Sequence, residues 1–220
     1  MQLLKQTRPI DDFLPHVLIH TRGDEQSGAL PTDAALSFIR NAAISFADKS
    51  GVLTQKMNVD LQCGLKEYPL DVKDCETVIG VKSARYANFC IEDCGCSWTW
   101  GGVSFWFNDD VLHIDPAPTK DIIDGLEIEV VLTPSRDACE LDAQFFTKWH
   151  DAVISGALSE IHSMPGFPWS SVTRADYRNR KFESEISRYA IRKVLDGRRE
   201  PLYAAPNPNF VTCRTNQRRW

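Results

Sequence analysis

The 220-residue chain has no long hydrophobic run and no sign of a secretory leader. No apolar stretch approaches the roughly 20 residues that a membrane-spanning helix needs. Residues Met1 to Arg8 lack the apolar segment of a signal peptide. The seven cysteines are an odd number, which does not suggest a disulfide framework in a chain without such a signal. We therefore expect a cytoplasmically made protein with reduced thiols and no membrane contact.

The sequence also lacks the common catalytic motifs. It contains no G-x-S-x-G, no P-loop and no G-x-G-x-x-G. A nucleophilic cysteine needs a nearby histidine and a third, orienting group, but no histidine here falls in a recognisable motif. The histidines are His16, His20, His113, His150 and His162. The sequence therefore predicts a protein that is not an enzyme and that holds no cofactor.

Charge is unevenly distributed along the chain. Residues 192–220 hold seven arginines and lysines against two acidic residues, a net charge of +5. The whole chain carries −5, so residues 1–191 carry −10. A basic, proline-bearing tail on an acidic body suggests that the tail reaches another, acidic surface, although a solvated terminus has the same composition. Aromatic residues among the tail arginines are also compatible with binding of single-stranded nucleic acid.

Apolar periodicity divides the body into helices and strands. Residues 1–31 read as an arm with one short helix that has Pro15 in its first turn. Thr32 is the expected N-cap of a helix that ends near Gly51. From residue 57 to 133 the period changes, and we predict an antiparallel sheet or small sandwich of about six strands. Their segments are NVDLQC, KEYPLDV, ETVIGVKSARY, VSFWF, VLHID and LEIEVVL.

Two further helices are predicted, from about Leu141 to Ser163 and from about Ser171 to Leu195, with Gly197 as the stop signal of the second. The segment between them reads as a structural corner. Proline cannot continue a helix, glycine accepts a left-handed conformation, and the two aromatic rings can pack over the end of the hairpin. The corner residues are Pro165, Gly166, Phe167, Pro168 and Trp169.

Two alternative kinds of metal site were weighed against structural roles. Cys90, Cys94 and Cys96 resemble part of a zinc site, and His113 or Cys75 is the candidate fourth ligand. The C-x₃-C-x-C spacing has no second pair, so we favour small, partly buried thiols in a β-excursion over a metal site. Acidic pairs, as in the segment DIIDGLEIE, fall in turn-like contexts and are not expected to gather into a two-metal site.

The order of these segments resembles the head-to-tail adaptor (connector) proteins of short-tailed bacteriophages. The closest match is VLTPSRDACELDAQFFTKWHDAVISGALSEIHSMPGFPWS, and the helix RADYRNRKFESEISRYAIRKVLDG follows it. Weaker matches are DDFLPHVLIH, ALSFIRNAAISFADKSGV and CGLKEYPLDV, so the resemblance extends over most of residues 11–197. Residues 88–102, NFCIEDCGCSWTWGG, do not resemble the family.

The resemblance implies an α+β fold. Its helical core consists of one long helix plus a C-terminal helical hairpin, and an inserted antiparallel β-domain and an extended C-terminal tail are added to this core. We expect an arm at 1–31, the core at 32–56 and 134–197, the β-domain at 57–133 and the tail at 198–220.

It implies a virion protein of the neck. Its expected partners are the portal protein, a tail tube or nozzle protein, further copies of itself in a ring of twelve, and genomic DNA sliding through without sequence recognition. The tail residues implied to contact the portal are Arg198, Arg199, Phe210, Arg214, Arg218, Arg219 and Trp220. The alternatives are another neck, tail-tube or tail-completion component, or a small zinc-binding module.

Overall fold

A computed structural model describes residues 6–21, 30–72, 75–86, 89–95, 97–100, 103–108 and 110–195, with backbone alone for residues 86, 89–95, 97–100 and 192–195. The fold is mixed α+β, as the sequence predicted. In these ranges the chain forms five α-helices and three antiparallel sheets. No helix in them is both long and apolar enough to cross a membrane.

The chain begins with a short strand, β1 (Thr7–Pro9), a 3-10 turn (Ile10–Phe13) and helix α1 (Leu14–Leu18). The predicted short helix is confirmed, with proline in its first turn. Strand β1 was not predicted. It pairs antiparallel with β10 (Glu140–Asp142), a partner that lies far away in the sequence.

Helix α2 (Thr32–Ser50) is the predicted long helix, but its N-cap differs from the prediction. Thr32 is already helical, and Pro31 in extended geometry is the N-cap, with its carbonyl oxygen accepting from Ala35 N at 3.0 Å. Proline fits here because its φ is restricted and its missing N–H has no partner at a helix start. Gly51 ends the helix in a left-handed conformation, φ 57°, as predicted.

Eight strands follow between residues 54 and 134, where about six were predicted. They are β2 (Thr54–Leu61), β3 (Glu67–Pro69), β4 (Glu76–Tyr86), β5 (Phe89–Gly95), β6 (Ser97–Trp100), β7 (Val103–Asn108), β8 (Val111–Asp115) and β9 (Ile122–Pro134). One four-stranded sheet has the order β2-β9-β4-β5, and the other has the order β3-β8-β7-β6. The two added strands, β5 and β6, fall in the cysteine-bearing segment.

The long strand β9 is central to the first sheet, since it pairs with both β2 and β4. Its inward side chains are fully buried and alternate with more exposed ones, as expected for a sheet with one covered face. They are Leu126, Ile128, Val130 and Leu132. In the second sheet, β7 and β8 form the predicted hairpin, where Asp110 takes φ 60° and its Oδ1 accepts from Val78 N at 2.9 Å.

The predicted single helix from Leu141 to Ser163 is wrong. Leu141 belongs to β10, a five-residue helix α3 (Ala143–Thr147) follows, and α4 (His150–Ser163) begins after a break at Lys148 and Trp149. Asp142 starts α3 by accepting a hydrogen bond from Gln144 N at 2.8 Å. The capping carboxylate stabilises the start of α3, two residues after the predicted start of the single helix.

Helix α5 (Val172–Leu195) agrees with the prediction up to Leu195, and the predicted stop, Gly197, lies outside the described residues. Helix α4 packs against both α2 and α5, and α2 also contacts β9. The buried apolar side chains form one continuous cluster that includes Phe46 of α2, Leu158 of α4, Phe182 of α5 and Ile128 of β9.

Candidate functional site

The tail residues implied to contact a portal all lie outside the described part of the chain. They are Arg198, Arg199, Phe210, Arg214, Arg218, Arg219 and Trp220. Their role stays a prediction.

The cysteine segment is placed only as backbone. Cys90 and Cys94 lie on β5, four residues apart, and Cys90 is opposite Arg85 of β4, while Cys96 lies outside the described residues. Among the side chains that are described, no group of three or more histidine, cysteine or acidic residues has the arrangement to hold a metal ion.

The candidate fourth ligands of that metal site have other surroundings. The ring of His113 lies parallel to that of Trp106, with centroids 5.2 Å apart and planes 2° apart. Its Nδ1 is 3.7 Å from a carboxylate oxygen of Glu67 on the neighbouring strand β3. Cys75 immediately precedes β4 and is partly buried. Stacking holds the His113 ring flat against an exposed tryptophan on the surface of the second sheet.

The acidic segment DIIDGLEIE, which was expected in a turn-like context, lies in strand β9 from Ile122 onward. The Asp121 carboxylate accepts a hydrogen bond from Cys63 N at 2.7 Å, and Asp60 accepts one from Asp124 N at 2.8 Å. Asp124 takes φ 50°, a left-handed conformation that aspartate tolerates better than most residues. These carboxylates thus satisfy backbone N–H groups between β2 and β9.

The segment with Pro165, Gly166, Phe167, Pro168 and Trp169 lies between α4 and α5. Gly166 takes φ 86°, a conformation that residues with a side chain adopt only at an energetic cost. The rings of Phe167 and Trp169 are stacked, with centroids 4.8 Å apart and planes 10° apart. Trp169 is 5% exposed and belongs to the core, whereas Phe167 is 44% exposed and covers it from outside.

His162 fixes this corner from the last turn of α4, a role that sequence reasoning missed. It is 3% exposed, and its Nδ1 lies 2.8 Å from the Trp169 carbonyl oxygen. A carbonyl oxygen can only accept, so Nδ1 carries the proton. The His162 carbonyl in turn accepts from Ser171 N at 2.9 Å, and the Ser171 hydroxyl accepts from Arg174 N at 3.4 Å as α5 begins.

Helix α5 has a buried apolar stripe, and two apolar side chains lie exposed on the opposite face. Ala175, Phe182 and Ile186 are buried against α4 and α2. Tyr177 and Ile191 are 64% and 59% exposed. At about 100° per residue they lie within about 40° of each other and on the opposite side of the helix from the buried stripe. Tyr177 and Ile191 are about 21 Å apart along the helix at 1.5 Å per residue, and Arg180, Ser184 and Arg188 lie between them on the same face.

Polar contacts tie α5 to the rest of the helical region. Lys49 at the end of α2 forms a 2.8 Å ion pair with Glu183. The Tyr189 hydroxyl donates to the Lys148 carbonyl oxygen at 3.0 Å, exactly where α3 and α4 are separated by the break. The Arg188 guanidinium lies 4.9 Å from the Tyr189 ring centroid and donates to its hydroxyl at 3.1 Å. The break in the predicted helix is therefore covered by α5.

Two carboxylates have shifted pKa values. Burial raises the pKa of Glu160 on α4, although a hydrogen bond with Asn41 of α2 acts in the opposite direction. Burial also acts to raise the pKa of Glu129 on β9, but the hydrogen bond and charge of Lys82 on β4 outweigh it, and the net shift is downward. Lys82 Nζ lies 2.8 Å from Glu129 Oε1. The Glu129 pair thus stabilises the pairing of β4 with β9.

No protein-family model matches the chain, and no curated protein matches it.

Proposed function

We propose that this chain is a structural virion protein, a head-to-tail adaptor of a short-tailed bacteriophage. Copies of the chain assemble into a ring beneath the portal, with twelve copies implied by the resemblance. The ring joins the portal to a tail tube or nozzle protein and lines the channel through which genomic DNA passes. The protein acts by assembly, without catalysis or cofactor. It is made in the host cytoplasm and ends in the neck of the virion.

The finer division of the fold belongs to this proposal. Residues 32–56 and 134–197 form the helical core of the ring, and residues 57–133 form an inserted antiparallel β-domain. The mutual packing of α2, α4 and α5 supports this division. So does the sequence order, in which eight strands separate α2 from the segment that begins with β10.

The observation that carries the proposal is the exposure of Tyr177 and Ile191 on the outer face of α5. The opposite, inner face of the helix is buried in its own chain. Tyrosine is enriched in protein interfaces, so an outer face with these two exposed side chains suits contact with a second surface. Side-by-side copies in a ring provide such a surface repeatedly.

The charge distribution also supports the proposal. Residues 192–220 carry a net charge of +5 and residues 1–191 carry −10, which suits a C-terminal segment that reaches a separate acidic partner. Arginine and tryptophan, with which the chain ends, are favoured anchors in protein interfaces. An acidic channel wall suits DNA that must slide, because cationic phosphate contacts would hold it.

Electron microscopy of the chain mixed with the portal ring of the same virus tests this proposal. We expect the full chain to decorate one end of the portal as a ring, and a version ending at Asp196 to leave it bare. A full-length variant with Arg214, Arg218 and Arg219 changed to Gln separates the effect of charge from that of length. We expect it to bind much more weakly than the unchanged chain.

The ring contacts are tested separately from portal binding. Tyr177→Glu and Ile191→Glu place a charge on the outer face of α5 and should prevent ring closure. Asn179→Glu introduces the same charge at an exposed position on the flank of that helix and is the matched control. A full chain that ignores the portal contradicts the adaptor function and favours another neck, tail-tube or tail-completion component.

The zinc-binding alternative has its own measurement. A module that uses Cys90, Cys94 and Cys96 would contain one zinc per chain by elemental analysis and would unfold with a chelator. A folded, zinc-free chain refutes it.

A further inference from the structure

A cavity of about 220 Å³ lies where α1, α4 and α5 meet. Its polar lining comes from all three helices. His16 lies in α1, and His20 follows that helix. His150 and Ser155 belong to α4, and Arg178 and Lys181 belong to α5. The rings of His16 and His150 meet edge to face, with centroids 4.6 Å apart. Residues distant in the sequence thus converge on one space.

The charge of this lining is mainly positive. Arg178 and Lys181 are one helical turn apart, so both side chains project to the same side of α5. Both are partly buried, whereas Arg180 between them in sequence is exposed. Asp151 is the one acidic side chain of the lining; it is 80% exposed and lies 3.4 Å from His150 Nδ1. The cations are thus held closer to the interior than the carboxylate.

Ser155 supplies a second, independent observation. It is fully buried in the wall of the cavity, and its hydroxyl has no hydrogen-bond partner within the described ranges of the chain. Buried hydroxyl groups in native proteins nearly always have a partner, because an unpaired one loses its hydration without compensation. A ligand oxygen in the cavity would accept the hydrogen bond that this hydroxyl has to donate.

The surroundings of His20, at the exposed rim of the cavity, are also electropositive. Burial lowers the pKa of the His20 imidazole, and the charges of Arg178, His162 and Arg174 lower it further. No carboxylate contributes in the opposite direction. An anion in the cavity would offset these cations and raise the pKa of His20 again.

We propose that this cavity is a binding site for a small tetrahedral oxyanion, a phosphate ion or the phosphate group of a small phosphomonoester. The side chains that line it offer donors from three directions: guanidinium, ammonium, imidazole and hydroxyl groups, a set that matches the several acceptor oxygens of a phosphate. The positive end of the α4 dipole lies at the same place, since the helix begins at His150. The exposed Asp151 beside His150 disfavours a long polyanion such as nucleic acid.

Titration of the full-length chain with inorganic phosphate, followed by NMR of the histidine side chains and by calorimetry, tests the site. We expect the resonances of His16, His20 and His150 to shift together and to saturate. Arg178→Gln should weaken binding about tenfold, as expected for one charge-assisted hydrogen bond. Arg180→Gln removes the same charge from an exposed neighbouring position and should leave the affinity unchanged.

Two further variants keep the test valid if one of them fails to fold. Ser155→Ala removes the unpaired hydroxyl and should weaken phosphate binding while it stabilises the free protein. Lys181→Gln should weaken binding about as much as Arg178→Gln. Equal losses in Arg178→Gln and Arg180→Gln would mean diffuse attraction by α5 and would overturn the proposal, as would the absence of saturation.

The pH dependence is measured with sulfate, because its own charge stays constant near neutrality. The groups that face the cavity or act on His20 are His16, His20, His150, Asp151, His162, Arg174, Arg178 and Lys181. We expect the sulfate affinity to rise as pH falls below the ordinary histidine range, because the pKa of His20 is lowered in the free protein and a bound anion favours its protonated form. A pH-independent affinity contradicts the site. Displacement of sulfate by an oligothymidine without a terminal phosphate would indicate that nucleic acid is the ligand. That result would also overturn the proposal.

Discussion

Gly156 of α4 is the position where a single added methyl group tests the packing of the three long helices. A Cβ atom built there lies 2.9 Å from the Ala42 Cβ atom of α2 and 3.0 Å from Phe182 Cε2 of α5. Carbon atoms of neighbouring side chains normally stay about 3.5–4.0 Å apart. Ala42 and Phe182 are 1% and 5% exposed. A methyl group at 156 therefore requires a helix to move.

Two opposing terms set the size of the effect of Gly156→Ala. Alanine favours the helical state over glycine by about 1 kcal/mol. Overpacking of a tight core costs about 1–3 kcal/mol, and the upper part of that range applies because the Ala42 Cβ atom is fixed to the α2 backbone and cannot rotate away. We expect a net loss of about 1–2 kcal/mol in the free energy of unfolding.

Urea unfolding followed by circular dichroism measures this loss, and a second substitution identifies its cause. Ala42→Gly alone should destabilise the chain, since it introduces glycine into a helix and removes a buried methyl group. Combined with Gly156→Ala, it should restore stability, with a favourable coupling energy of about 1–2 kcal/mol. If Gly156→Ala instead stabilises the protein by the full helix-propensity gain and shows no coupling to position 42, the close approach of α2 and α4 is refuted.

Three further predictions concern partly or fully buried polar groups. Burial raises the pKa of Glu160, so the folded state binds its proton more tightly and stability falls as pH rises through the ordinary glutamate range. Glu160→Gln should therefore be more stable than the unchanged chain at neutral pH, by up to about 0.5 kcal/mol, and should lose this gain near pH 4. A difference in melting temperature that is the same at both pH values would contradict this. The pKa of Glu129 is lowered in the fold by Lys82, which outweighs burial, so the pair contributes stability above the ordinary glutamate pKa and loses it as pH falls through the lowered value. Lys82→Met should cost about 0.5–1 kcal/mol in urea unfolding at neutral pH and less in acid, and a cost that does not change with pH would exclude the pair as its source. His162→Phe leaves the Trp169 carbonyl without its donor and should cost about 2 kcal/mol, whereas His162→Asn, which can still donate, should cost less; equal losses would assign the effect to ring packing.

Helices with a sustained apolar period could be predicted from the sequence. The apolar residues of α2 recur at helical spacing up to the glycine at position 51. Those of α5, including Phe182 and Ile186, recur in the same way. The helix predicted from Leu141 failed because its apolar residues keep a helical spacing through the break. Leu141, Phe145 and Trp149 are all buried, although they do not belong to one helix. The spacing of apolar residues is therefore the same with and without the break.

Strands whose partners are remote in sequence could not be predicted. The pairing of Arg8 with Leu141 is decided by tertiary contacts, and three residues give too short an alternation to detect. Strand β5 carries cysteine, glycine and acidic residues in place of the β-branched residues typical of strands, and β6, although it holds tryptophan and threonine, is only four residues long. Their strand conformation depends on pairing, of β5 with β4 and of β6 with β7.

The candidate site was predictable only where its residues are neighbours in sequence. The corner from Pro165 to Trp169 is local turn chemistry and was read directly from the residue types. The role of His162 depends on a carbonyl seven residues ahead, and a histidine in an apolar segment signals burial but names no partner. The cavity between α1, α4 and α5 combines segments more than 130 residues apart, and nothing in the local pattern of His16 or Lys181 indicates the other.

The position of β9 between β2 and β4 also decides when the first sheet can form during synthesis. Strand β2 ends at Leu61 and its partner begins at Ile122, about 60 residues later. At roughly 5–20 residues per second, the ribosome needs about 3–12 s to make the intervening chain. During that time β2 and β4 have no central strand to pair with and expose unpaired backbone edges. The nascent chain is therefore most open to aggregation and to chaperone binding until β9 emerges.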